Sequence, residues 1–190
     1  MTTTQTNTRE QWLNDAAEAM RSIFDEQDAK AYPKFRVSCG FPKGARGKAI
    51  GQAWHPDASS DDTVEVFISP ELSDVVKVMA TLLHELIHAI VGNDVGHKGP
   101  FKDLAKAVGL EGKMTATVAG EDLTLRLLVI ARSLGPYPHA QLQNKVTTKQ
   151  STRMMKVTCS NPACGYIIRT TKKWIDLGLP TCYCGNEMQS

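Results

Sequence analysis

His84, Glu85 and His88 stand in the order His-Glu-Leu-Ile-His, and His97 follows nine residues after His88. On a helix, residues four apart lie about 6 Å along the axis and about 40° around it, so His84 and His88 can close on one metal ion from the same face. Glu85 sits about 100° round from His84. That offset takes it out of the coordination shell but leaves it able to reach a water in the metal's open position, as a general base must. The chemistry is that of a catalytic zinc site. For the third ligand, Gly92-Asn93-Asp94 supplies C-cap and turn residues, and Gly96-His97-Lys98-Gly99-Pro100 sets a histidine between glycines before a new helix, so the chain can double back onto the metal. The rival third ligand is a carboxylate on a later helix, with Glu111 the best-spaced candidate. His55, between Trp54 and Pro56, and His139, after Pro136-Tyr137-Pro138, read as ordinary surface or packing histidines.

A second constellation lies near the other end. Cys159 and Cys164 form one pair, Cys182 and Cys184 another, with 17 residues between the pairs and a glycine after each second cysteine. Two thiolate pairs on facing knuckles complete a closed, tetrahedral structural zinc site, and the glycines permit the tight turn around the metal. The spacing is irregular for a zinc ribbon, with four residues inside the first pair and one inside the second. Disulfides are disfavoured because Cys39 is left over and the polar start, Met1 to Asn7, has no charged n-region or apolar h-region of a secretory signal.

The elements that must position these residues are marked by periodicity. Val75 to Val91 is apolar around most of a helical circumference, with Lys77, His84, Glu85 and His88 the main polar exceptions, so the helix is expected to be buried. Its start is expected at Ser69-Pro70-Glu71, read as N-cap, first-turn proline and an acidic residue facing the dipole. Gln11 to Phe24 has amphipathic helical spacing. Phe35 to Cys39, Ile50 to Trp54 and Val64 to Ser69 read as three strands of a small sheet. The Gly40 to Gly47 loop, with Lys43 and Arg46, reads as a basic substrate or DNA edge or as a solvated hairpin end. Phe101, Leu104, Ala105 and Val108 predict a second short helix closed by Gly109, and Glu121 to Leu134 a third. The fold class expected is α+β, with a catalytic domain over 1–138, a linker over 139–153 and a four-cysteine ribbon over 154–190.

The formal net charge of the 190 residues is +2, but its distribution is uneven. Residues 1–138 carry 15 Lys and Arg against 18 Asp and Glu, whereas residues 139–190 carry 7 against 2. Arg169, Lys172, Lys173 and Trp174 fall between the two cysteine pairs, where cations beside an aromatic suit phosphate contact and base stacking; the alternative is a solubilising face. No segment has the length and apolarity of a membrane span.

Taken together, the Phe67-Ile68-Ser69-Pro70 lead-in, the His-Glu-Leu-Ile-His helix, the Gly96 to Lys102 segment and the C-terminal cysteine ribbon resemble the SprT-like zinc metallopeptidases, relatives of the eukaryotic protease Spartan. The likeness runs from about Phe35 to the ribbon. It implies a zincin-like catalytic domain, zinc on His84, His88 and His97, and Glu85 as catalytic base. For Spartan-like members it also implies cleavage of proteins bound or crosslinked to DNA. The segment between the second and third histidines is short and the knuckle spacing unusual, which suits a compact bacterial or phage-type branch acting in the cytoplasm. The expected partners are therefore a protein or peptide substrate and DNA, with one catalytic and one structural zinc as cofactors. Tyr32, Arg126 and Tyr137 are candidates for stabilising the oxyanion. Two other readings stand beside this one: a non-catalytic, zinc-stabilised DNA-binding or adaptor protein, and a hydrolase of non-peptide substrates on the same metal scaffold.

Overall fold

The computed structural model describes residues 8–29, 32–43, 49–143 and 153–190. Arg46 and most of the predicted 139–153 linker lie outside them. The chain divides into two compact units, Met1–Asn144 and Lys145–Ser190, both of mixed α and β structure.

In the first unit, the Thr8 hydroxyl accepts the Gln11 amide and caps helix α1 (Arg9–Ala19), which buries Trp12, Leu13, Ala16 and Ala17. The single helix expected over 11–24 is in fact two. The Ile23 amide bonds back only three residues to the Met20 carbonyl, and this tightened turn starts α2 (Arg21–Asp25) while keeping Met20, Ile23 and Phe24 in the core. Strands β1 (Phe35–Cys39), β2 (Gly51–Trp54) and β3 (Val64–Ile68) form a sheet in the order β1-β3-β2, parallel between β1 and β3 and antiparallel between β2 and β3. The β3 alternation is a half-buried one, with Val64, Val66 and Ile68 in the core and Glu65 and Phe67 on the other face.

Helix α3 (Val75–Val91) fills the apolar run that was expected to be helical, but it starts later than Ser69-Pro70-Glu71. Asp74 is its N-cap, accepting the Lys77 amide at 2.8 Å. Ser69 is still committed to the sheet, donating its amide to the Ile50 carbonyl, and residues 70–73 make a turn that drives Leu72 into the core. Helix α4 (Pro100–Ala107) follows, then a hairpin that the periodicity did not suggest: β4 (Leu110–Lys113) and β5 (Ala116–Ala119), joined by Met114 and Thr115. Helix α5 (Glu121–Leu134) closes the layer. The first unit continues past residue 138, because Leu142 donates its amide to Pro70 and Gln141 its side chain to the Glu71 carbonyl.

The second unit is small. Strands β6 (Met154–Cys159), β7 (Ile167–Thr171) and β8 (Met188–Gln189) pair in the order β7-β6-β8, and helix α6 (Lys172–Leu177) follows β7 directly. Its buried core consists of Val157, Cys159, Cys182 and Met188. Among the described residues, no helix of either unit is long and apolar enough to cross a membrane.

Candidate metal centres

Helix α3 presents His84 and His88 one turn apart, and the reversal after it brings in His97. Gly96 and Gly99 sit at φ of +56° and +48°, in the left-handed region that disfavours a Cβ, so glycines on either side of His97 let the chain turn sharply. The Nε2 atom of His97 lies 3.2 Å from Nε2 of His84 and 3.2 Å from Nε2 of His88. Three ring nitrogens meeting at one point form a group able to hold a metal ion. Phe101, fully buried at the start of α4, is the platform beneath them: its ring stacks on His88 at 4.3 Å and meets His84 and His97 at 4.8 and 4.9 Å between centroids.

Orientation of His84 comes from the unforeseen hairpin. Its Nδ1 is 2.9 Å from the Thr117 hydroxyl on β5, which leaves Nε2 facing the cluster. Burial and the neighbouring His88 and His97 rings hold His84 down to about 3, burial and His97 hold His88 down to about 4, and burial lowers His97. The imidazoles are therefore neutral at physiological pH, the form that binds a metal.

Glu85 is 7% exposed. Burial pushes its carboxyl up to about 8, against the opposing pull of the Ala53 backbone amide. Above it opens a cleft of about 530 Å³, walled by residues 49–53 on one side and Thr115, Ala116 and Thr117 on the other, with the three histidines and Glu85 in its lining. Gly51 makes this closeness feasible. A Cβ there would meet Glu85 Oε1 at 2.5 Å and Thr81 Cγ2 at 2.6 Å.

The rival ligand Glu111 takes no part in this group. It stands on strand β4 rather than on a helix, and its carboxylate lies against Gly120. The three oxyanion candidates are also elsewhere. Tyr32 donates its hydroxyl to the Ala17 carbonyl, Arg126 is paired with Glu26 at 2.6 Å, and Tyr137 packs edge-on against Trp12. His55 and His139 are exposed, as read.

In the second unit, Cys159 and Cys184 approach to 3.5 Å between sulfurs and Cys164 and Cys182 to 3.7 Å, and the four together could hold a metal ion. These separations exceed the roughly 2.05 Å of a disulfide. Amide donors reach the sulfurs, from Asn161 N–H to Cys159 and from the Asn186 side chain to Cys184. The Asn186 donors hold the Cys184 thiol down to about 6, whereas burial pushes Cys159 up to about 12. Gly165 and Gly185 have φ of +66° and +82°, the turn role expected for the glycine after each pair.

Arg169 lies on β7, and Lys172, Lys173 and Trp174 form the first turn of α6, all exposed. Lys172 is paired with Asp176 at 3.0 Å, and the Lys173 ammonium sits 4.9 Å from the Trp174 ring centroid. Across the sheet, Arg169 is the register partner of Lys156, a like-charge pair.

Thr117, Phe101 and Gly51 are the site residues whose roles the spacing did not disclose. Phe101 was visible as an apolar position of α4 but carries no mark of its target, and nothing in the spacing singles out Thr117 or Gly51. No protein-family model matches this chain, and neither a curated protein nor a solved structure matches it.

Proposed function

We propose that the chain is a zinc-dependent peptidase of SprT-like, zincin type, with His84, His88 and His97 as ligands and Glu85 as general base. The observation that carries this reading is the convergence of three neutral imidazoles beside a buried carboxylate on the floor of an open cleft. Their 3.2 Å spacing suits tetrahedral zinc, for which nitrogens about 2.0–2.1 Å from the ion stand about 3.3 Å apart. Bound zinc supplies Lewis-acid activation of a water and of the carbonyl under attack. Beside a bound cation the Glu85 carboxyl would ionise, and as a carboxylate it would take the proton from the attacking water and pass it to the leaving amine. A purely structural site would leave Glu85 as a costly buried carboxyl with no task, which weighs against the adaptor reading.

The cleft wall favours a peptide over other hydrolysable substrates. Strand β2 is an edge, and the Ser69 to Ile50 bond sets the alternation, so Gly51 and Ala53 turn their backbone groups away from β3. Asn93 donates to the Ala53 carbonyl at 3.1 Å, and among the described residues the Gly51 backbone groups have no partner, which suits pairing with an extended backbone. The ribbon's cysteines suit a closed structural zinc, whose thiolates about 2.3 Å from the ion stand about 3.8 Å apart. A DNA-linked substrate rests on the family resemblance and on the ribbon's Lys156, Arg169, Lys172, Lys173 and Trp174.

The test is to incubate the zinc-loaded full chain with a DNA-binding protein, with and without single-stranded or duplex DNA, beside Glu85→Gln. Fragments should appear, and the variant should cut about 10²-fold more slowly while keeping its metal, since it lacks the proton carrier but no ligand. Equal cutting by the variant would remove the assignment. Stimulation by DNA would support the DNA-linked substrate, and indifference to DNA would leave a general peptidase.

A further inference from the structure

Helix α5 has two faces of similar apolarity. Leu123, Leu127 and Ala131 are buried in the core, but Leu125, Leu128 and Val129 are 59%, 44% and 72% exposed. At 100° per residue the exposed three share an arc with Glu121 and Asp122 at its N-terminal end and Arg132 at its C-terminal end, all within about 120° of circumference. Arg126 is held by Glu26, whereas Glu121, Asp122 and Arg132 enter no ion pair among the described residues.

Acidic, apolar, basic is an order that complements its own reverse. A two-fold axis crossing the helix near Leu127 would set Glu121 and Asp122 of one copy beside Arg132 of the other at both ends. Leu125 would then face Val129, with Leu128 close to the axis, and the two helix dipoles would run antiparallel. A parallel pairing would instead place like charges together. We propose that the chain forms a two-fold homodimer through antiparallel packing of α5 on the α5 of a second copy. This inference does not depend on the metal reading. The helix has 14 residues, and one such face is smaller than the roughly 800 Å² per partner of stable complexes, so the dimer is a weak, reversible one.

Sedimentation equilibrium of the zinc-loaded full chain, from about 1 to about 300 µM, reads the association directly. The native chain should pass from monomer to dimer within that range, and Val129→Asp should stay monomeric. Arg132→Glu alone and the Glu121→Lys, Asp122→Lys double variant should each weaken the dimer about tenfold or more, which a parallel pair, with like charges together before and after, would not show; an equimolar mixture of the two should restore it, because each end then joins an acidic copy to a basic one. All substituted positions are exposed, and unchanged circular dichroism and zinc content establish that the variants fold. A native chain that stays monomeric throughout would overturn the proposal, as would a dimer indifferent to Val129→Asp or a mixture that fails to associate.

Discussion

Glu85 and Gly51 hold each other in place: the carboxylate lies where a side chain on residue 51 would have to go, with Oε1 2.5 Å from the Cβ position. On the proposed peptidase reading, Gly51→Ala should therefore displace Glu85 and lower turnover by about 10²-fold, a loss that a misplacement of about 1 Å can cause, while metal content stays at the native level. Native turnover in the alanine variant would show that Glu85 has room to spare. Protonation gives a second test at the same residues. Unfolding returns each histidine to 6.5 and Glu85 to 4.5. Below pH 6.5 the unfolded chain takes up histidine protons that the folded chain refuses, so stability falls on acidification. Between pH 4.5 and about 8 the folded chain keeps a proton on Glu85 that the unfolded chain releases, so this one group makes stability fall as pH rises. Three histidines outweigh one carboxyl on the acid side. In residues 1–144 treated with a chelator, the melting temperature should peak near neutrality, and Glu85→Gln should remove the decline between about pH 6.5 and 8 and steepen the fall below pH 6.5. An alkaline decline that persists in the variant would assign it to another group.

Arg9 shows how one side chain joins elements far apart in the chain. At the start of α1 and 5% exposed, it donates to the carbonyls of Pro138 at 3.0 Å, Pro70 at 3.1 Å and Ala140 at 2.7 Å, and it stands over the Tyr137 ring. It thus ties α1 to the turn before α3 and to the segment after α5. Arg9→Met keeps the apolar stem but removes a charged donor from three part-buried hydrogen bonds, which should cost about 2–4 kcal/mol in urea unfolding. A loss under about 0.5 kcal/mol, the range of ordinary surface changes, would show that water replaces the clamp. Nothing in the sequence marks Arg9 for this, since an arginine before an amphipathic helix looks like a solvated residue. The β4–β5 hairpin was silent for a related reason: its two-residue connection, Met114-Thr115, lacks the Asn-Gly or Gly signal of such turns, and its strands are four residues each. By contrast, the spans of β1 and α5 and the apolar run of α3 were legible, because a buried face imposes a period on many residues at once.

The two units differ in what holds them together. The larger has a continuous core from Trp12 to Ala131, whereas among its described residues the smaller buries only Val157, Cys159, Cys182 and Met188, two of them candidate ligands. A core this small does not fold unaided. The full chain should bind two metal ions, residues 1–144 should stay folded with one, and residues 153–190 should lose their circular dichroism in a chelator and regain it with zinc. A ribbon fragment that keeps its structure in the chelator would show that packing alone suffices. The sequence by itself determined the local chemistry: histidines one helical turn apart with an adjacent carboxylate, cysteine pairs each followed by glycine, and the apolar periods that mark a buried helix and its sheet. Only the tertiary structure decided that His97 and not Glu111 joins the cluster, that Thr117 orients His84, that Gly51 makes room for Glu85 and that Arg9 closes the unit. Local chemistry is written in spacings of a few residues, which helix and turn geometry fix in advance. Thr117 lies 33 residues from His84 and Pro138 lies 129 from Arg9, and over such separations contact depends on how the whole chain packs.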